Sequence, residues 1–158
     1  MSCEICPIMR DPSDEELTLR LIEAEHWVAT LRRDQQFLGT AFVTARRHVE
    51  SLPELTAEES GEFITVQNQL IVAQQKAFGA KVVNVSCLMN HAFDKKGQGK
   101  PHVHYHFKPR YAAAVKFTGQ EFTDEQFGQY ISVKKPHVVE LPDAVQIAET
   151  IKNGLSRR

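Results

Sequence analysis

The segment running from His102 through Val103, His104, Tyr105 and His106 to Phe107 sets an imidazole at every second position with an apolar residue between. Successive side chains of an extended chain point to opposite faces, so this period of two specifies a strand. On such a strand His102, His104 and His106 share one face, and Val103, Tyr105 and Phe107 need an apolar layer beneath the other. Imidazole exists in both protonation states near neutral pH, which suits it to metal ligation, proton transfer or nucleophilic attack. A three-histidine metal centre does not fit, because strand rise puts His102 and His106 roughly 13 Å apart.

The rest of the chain supplies the sheet such a strand requires. Leu17, Leu19 and Leu21 alternate with polar residues and predict a first strand over 17–23. A second is expected from Trp27 to Leu31, a third over 40–45 entered through Gly39, and a fourth over 81–89. Between the third and fourth, Thr56 and Glu59 form a capping-box pair, Phe63, Val66, Leu70, Ala73 and Ala77 recur at helical spacing, and Gly79 offers a C-terminal cap. One long helix over 56–78 is predicted, its apolar stripe devoted to packing. A last helix is expected from Pro142 to Lys152, stopped by Asn153 and Gly154. The expected class is α+β, an antiparallel sheet of about five strands with one long helix and a C-terminal helical extension.

A chain of 158 residues with 42% hydrophobic and 25% charged residues has the size and composition of one domain able to bury a core. A formal charge of -1 provides no broad basic field, so bulk nucleic-acid binding is not expected. No stretch has the apolar length of a membrane span, and the N-terminus is too acidic for a signal peptide; a cytoplasmic location is expected. Of three cysteines, Cys3 and Cys6 read either as half of a metal site or as incidental thiols, and Cys87 as a small buried hydrophobe. Arg46 and Arg47 read as a solvated basic pair.

The run His102–Tyr111, with Pro109-Arg110 behind the histidines, resembles the His-x-His-x-His motif of the histidine-triad (HIT) nucleotide hydrolases and transferases. The stretches 23–31 and 39–52 and the position of Gln98 resemble the same family, which implies a HIT domain over 1–111 and an extension over 112–158 packed on it. The resemblance implies a structural zinc held by Cys3, Cys6, His48 and His102, a closed ligand set with no position for a catalytic water. It implies that His104 attacks the α-phosphorus of a nucleotide to form a nucleotidyl-histidine, with His106 and Gln98 assisting. Asn90, Gln98, Lys100 and Asp34 are the expected substrate contacts, and a homodimer is the expected assembly. Hydrolysis of a dinucleoside polyphosphate or nucleoside phosphoramidate is the leading expectation; nucleotidyl transfer by the same histidine, or nucleotide binding with weak catalysis, are the alternatives. Three departures bear on substrate choice. Gly99 stands where many members have Ser or Thr, Arg32 stands where an acid commonly holds the ribose hydroxyls, and the loop over 90–97 is longer than in short members.

Overall fold

Five antiparallel strands form the centre of the protein in the order β1-β2-β3-β5-β4, with β1 at Arg20–Glu23, β2 at Trp27–Leu31, β3 at Ala41–Ala45, β4 at Val82–Ser86 and β5 at His104–Arg110. The structure, a computed structural model, describes residues 3–155, so the expected outer limits at 1 and 158 lie outside the described residues. Register carries the functional information. Phe42 pairs with His106, Thr44 with His104, and Thr30 with Phe42, so these residues occupy one face of the sheet. The opposite face presents Ala29, Leu31, Val43 and Phe107, all at most 2% exposed, to the helices.

Helix α3, Ala57–Phe78, covers that inner face. Thr56 accepts from the Glu59 amide and the Glu59 carboxylate accepts from the Thr56 amide, while Gly79 closes the other end in the left-handed region. Val66, Leu70 and Ala73 of the expected stripe are buried, Phe63 stacks on Tyr105 at 4.0 Å, and the Trp27 indole donates to the Glu59 carbonyl. Fully buried side chains such as Leu31, Leu70 and Phe107 each contribute roughly 1.5–3 kcal/mol relative to exposure. Helix α4, Leu141–Gly154, packs on α3 and β1. It runs through Gly154 instead of stopping before it; a Cβ there would lie 2.9 Å from the Ala73 carbonyl oxygen, so the glycine serves the close approach of α4 to α3 and is not a left-handed cap. Gly154→Val is expected to destabilise the protein by roughly 1–3 kcal/mol through overpacking, read as a lowered urea midpoint with unchanged slope.

Several boundaries differ from expectation for local reasons. The strand predicted over 17–23 is a helix up to Thr18. Ser13 and Glu16 form a capping box that opens α2, Asp14–Thr18, and leaves Leu17 exposed. Preceding it, α1 spans Ile5–Arg10. Strand β4 ends at Ser86, its last pairing with His106, so 87–89 leave the ladder. Strand β5 begins at His104, so His102 lies outside the strand that its spacing predicts. Val103 still bonds through its backbone to Ala45 and Val49, and the His102 ring is anchored to β3 through the Ala45 carbonyl. A two-stranded hairpin, β6 at Val115–Phe117 and β7 at Gln120–Phe122, was not anticipated; Thr118 and Gly119 at φ 49° and 74° make the turn between them.

The extension is tied to the sheet by a buried ion pair. Arg110 donates from Nε and Nη2 to the two carboxylate oxygens of Asp124 at 2.6 and 3.0 Å, and both side chains are buried.

Candidate active site and metal centre

Four side chains that are far apart in sequence meet at one end of the sheet. Cys3 and Cys6 come from α1 and the residues before it, His48 from the turn after β3, and His102 from just ahead of β5. Their ligand atoms all lie within 4.8 Å of one another. The Cys3 sulfur is 3.4 Å from His102 Nδ1, and the Cys6 sulfur is 3.6 Å from that nitrogen and 3.3 Å from His48 Nδ1. A tetrahedral zinc with thiolates near 2.3 Å and imidazoles near 2.0 Å requires sulfur to nitrogen edges of about 3.5 Å. The donor set and spacing therefore fit a closed tetrahedral site.

Both rings are held with the required nitrogen free. His102 Nε2 donates to the Ala45 carbonyl at 2.8 Å, and His48 Nε2 donates to Glu50 at 3.1 Å, so in each the Nδ1 lone pair faces the thiols. Burial is the main cause that holds the His102 pKa below the usual imidazole value, which favours the neutral form a metal needs. Burial and the adjacent Cys3 push the Cys6 thiol up, an effect that a divalent cation between the sulfurs would reverse.

The histidines open onto a cleft of about 850 Å³ on the outer sheet face, floored by Phe42 and Thr44 and walled by α1 and the loop at 88–100. His104 Nδ1 donates to the backbone carbonyl of His102 at 2.8 Å. That bond fixes the tautomer and leaves Nε2 as the nitrogen with a lone pair. The His106 ring lies 5.0 Å from that of His104. Burial, with His104, Lys108 and Arg32 adding repulsion, holds its pKa down to about 4, so it is neutral at pH 7; its Nε2 is buried and without a protein partner.

A family model described as the HIT domain matches residues 14–113. The chain belongs to the HIT domain family. No curated protein is a significant match. Among solved structures, a hypothetical histidine triad nucleotide-binding protein from Sulfolobus tokodaii strain7 superposes with a TM-score of 0.69 at 18% identity, covering 96% of this chain and 91% of that one. A Zn-bound histidine triad family protein from Mycobacterium smegmatis gives 0.60 at 19% identity, with 98% and 93% covered. Plasmodium falciparum diadenosine triphosphate hydrolase gives 0.59 at 15% identity, with 89% and 76% covered. The family match begins at Asp14, so Cys3 and Cys6 lie outside it and their placement beside His48 and His102 rests on geometry.

Other residues of this HIT domain are placed as follows. Lys100 lines the cleft, as do His91 and Ala92, whereas Asn90 and Gln98 stand on the same exposed loop but not in the lining. Asp94 organises that loop, its carboxylate accepting from the amides of Lys96 and Gln98. Gly99 bridges to Phe93, and a Cβ on it would come within 1.8 Å of the Ala92 carbonyl oxygen, so Ser or Thr does not fit this loop as built. Asp34 turns Oδ1 to the amides of Gln36 and His137. Cys87 is half-buried at the end of β4, and burial pushes its thiol up. Arg46 pairs with Glu23 and Arg47 with Glu59, so the basic pair is structural. Sequence reasoning missed Lys134, which enters the cleft from a segment with no periodicity, and the Arg110–Asp124 pair.

Proposed function

We propose that this protein hydrolyses nucleotides at the α-phosphate through a covalent nucleotidyl-histidine on His104, with dinucleoside polyphosphates or nucleoside phosphoramidates as donors. The observation that carries the reading is the 2.8 Å bond from His104 Nδ1 to the His102 carbonyl, which in the neutral ring puts the proton on Nδ1 and the lone pair on Nε2, with His104 lining the cleft. In the first step the Nε2 lone pair forms a bond to phosphorus. The bond from phosphorus to the leaving oxygen or nitrogen breaks, and that atom leaves with the electron pair and takes up a proton from solvent water. In the second step water attacks phosphorus and releases its proton to solvent, the bond to nitrogen breaks with the electron pair returning to Nε2, and the imidazole regains its starting form while the nucleotide leaves as a monophosphate.

His106 and Lys100 line the cleft; His106 is proposed to contact the phosphoryl oxygens and Lys100 to offer a cation to the leaving group. Gln98 and Asn90 are proposed to reach substrate from the loop, and Asp34 to offer the ribose hydroxyls its second oxygen, since both its observed bonds go to Oδ1. Cys3, Cys6, His48 and His102 are proposed to hold a zinc that pins the N-terminal helix to the sheet; when bound it supplies rigidity, and every bond change falls to the protein. Strand β4 ends the sheet with Val82 exposed, which supports the proposed homodimer, and three unpaired thiols suit the proposed cytoplasmic location. No helix among the described residues is long and apolar enough to cross a membrane.

The test is intact-mass spectrometry after mixing with diadenosine tetraphosphate or adenosine phosphoramidate. The expected result is a gain equal to one nucleotidyl group that decays in water. Decay only when a phosphorylated acceptor is added makes the protein a transferase, and no adduct with tight nucleotide binding makes it a binding module.

A further inference from the structure

The cleft holds a cation that none of the roles above employs. Arg20, Arg33, Arg46, Arg47 and Arg110 each have a carboxylate within 4.0 Å. Arg32 lines the cleft, is exposed, and has no such partner among the described residues. What holds it is Phe42. The guanidinium carbon lies 4.6 Å from the ring centroid, and that ring lies 5.4 Å from the His104 ring and 4.2 Å from that of His106. A guanidinium resting on an aromatic face keeps its N–H donors available in a planar fork suited to phosphate.

Two more cations border the same sheet face. The Arg32 amide donates to the Thr40 carbonyl, and on β5 Lys108 pairs with Asn84, so Arg32 and Lys108 lie on the outer face one residue row beyond His106. Lys134 lines the cleft from the C-terminal segment. Burial first and Lys134 second hold the Lys108 ammonium below its usual pKa, the direction expected where cations crowd without a counter-ion. Acids facing this region are few. Asp34 offsets Lys108 partly, and its Oδ1 already accepts two backbone bonds; Glu4 and Glu16 also line the cleft, with Glu16 engaged by Ser13.

We infer that Arg32 is a second anion subsite, with Lys134 on the same cleft and Lys108 adding positive charge to that face, and that the substrate is a nucleotide carrying a phosphate in addition to the one attacked at His104. The inference rests on the nucleotide reading above and narrows its substrate class. The guanidinium rests on Phe42, whose ring adjoins both His104 and His106, so the second phosphate lies next along the cleft from the reacting one. It comes either from further along a polyphosphate chain or from a phosphate on the ribose.

The experiment is calorimetric binding of adenosine monophosphate, adenosine triphosphate and an adenosine monophosphate bearing a second phosphate on its ribose ring, to the parent protein, Arg32→Gln and Arg32→Lys. One of the two multiply phosphorylated ligands is expected to bind about tenfold or more tighter than the monophosphate, as for charge-assisted hydrogen bonds. Arg32→Gln is expected to erase most of that preference while monophosphate affinity holds, and Arg32→Lys to restore part of it. The favoured ligand identifies the source. Equal binding of all three ligands, a preference that survives Arg32→Gln, or a uniform loss for all three would overturn the inference. Retained preference with no adduct in the mass experiment would strike the hydrolase reading alone, and a decaying adduct with no preference would strike this inference alone.

Discussion

Replacing His104 with alanine is expected to lower nucleotide turnover by several orders of magnitude, on the order of 10⁴-fold or more, because the two-step route disappears with the nucleophile and only binding and electrostatic stabilisation remain. Nucleotide binding, metal content and melting temperature are expected to stay near the parent's, since His104 is half-buried and its one observed bond is to a backbone carbonyl. His106→Ala is expected to lose only about 10²-fold, as for one stabilising group. Steady-state kinetics with diadenosine tetraphosphate, alongside equilibrium nucleotide binding, decides the matter. A His104→Ala protein within tenfold of the parent, set against an inactive His106→Ala, would place the nucleophile two residues further along the strand.

The second large effect is expected at His102. Its ring is 2% exposed and completes the cluster with Cys3, Cys6 and His48, so His102→Ala leaves two thiolates and one imidazole around an open position. Metal analysis should show about one zinc per chain in the parent and little in the variant, with the midpoint of thermal unfolding lowered by ten degrees or more, roughly what several kcal/mol does to a domain of this size. A chelator added to the parent should reproduce the shift. A metal-free parent with unchanged melting would remove the zinc assignment and leave the cysteines as packing residues.

What was legible in the sequence is what local periodicity and capping encode. Thr56, Glu59 and Gly79 bounded α3 to within a residue, and Trp27–Leu31 emerged as β2 with its ends unchanged. Where two local signals competed, the stronger one decided. At 13–19 a capping box overrode an alternation of leucines. Residues whose position depends on contacts remote in sequence left no local trace. Gly154 looks like a helix stop until Ala73 is seen against it, and Lys134 becomes a cleft residue only because the segment around it bridges back to Asp34 and Gln36. Gly99 reads as a missing hydroxyl in sequence, whereas in the structure the Ala92 carbonyl excludes any side chain there.

Residue 102 does two things with two different parts of itself. Its ring turns to the thiols, and its backbone oxygen receives the proton of the His104 ring. A ring can be exchanged by a single codon change, but every residue type carries the same carbonyl. Were a zinc held there as proposed, descendants of such a chain could abandon it without giving up the His104 tautomer that the proposed mechanism needs. The proposed metal binding and the proposed covalent chemistry, two residues apart in the chain, would be separately heritable traits.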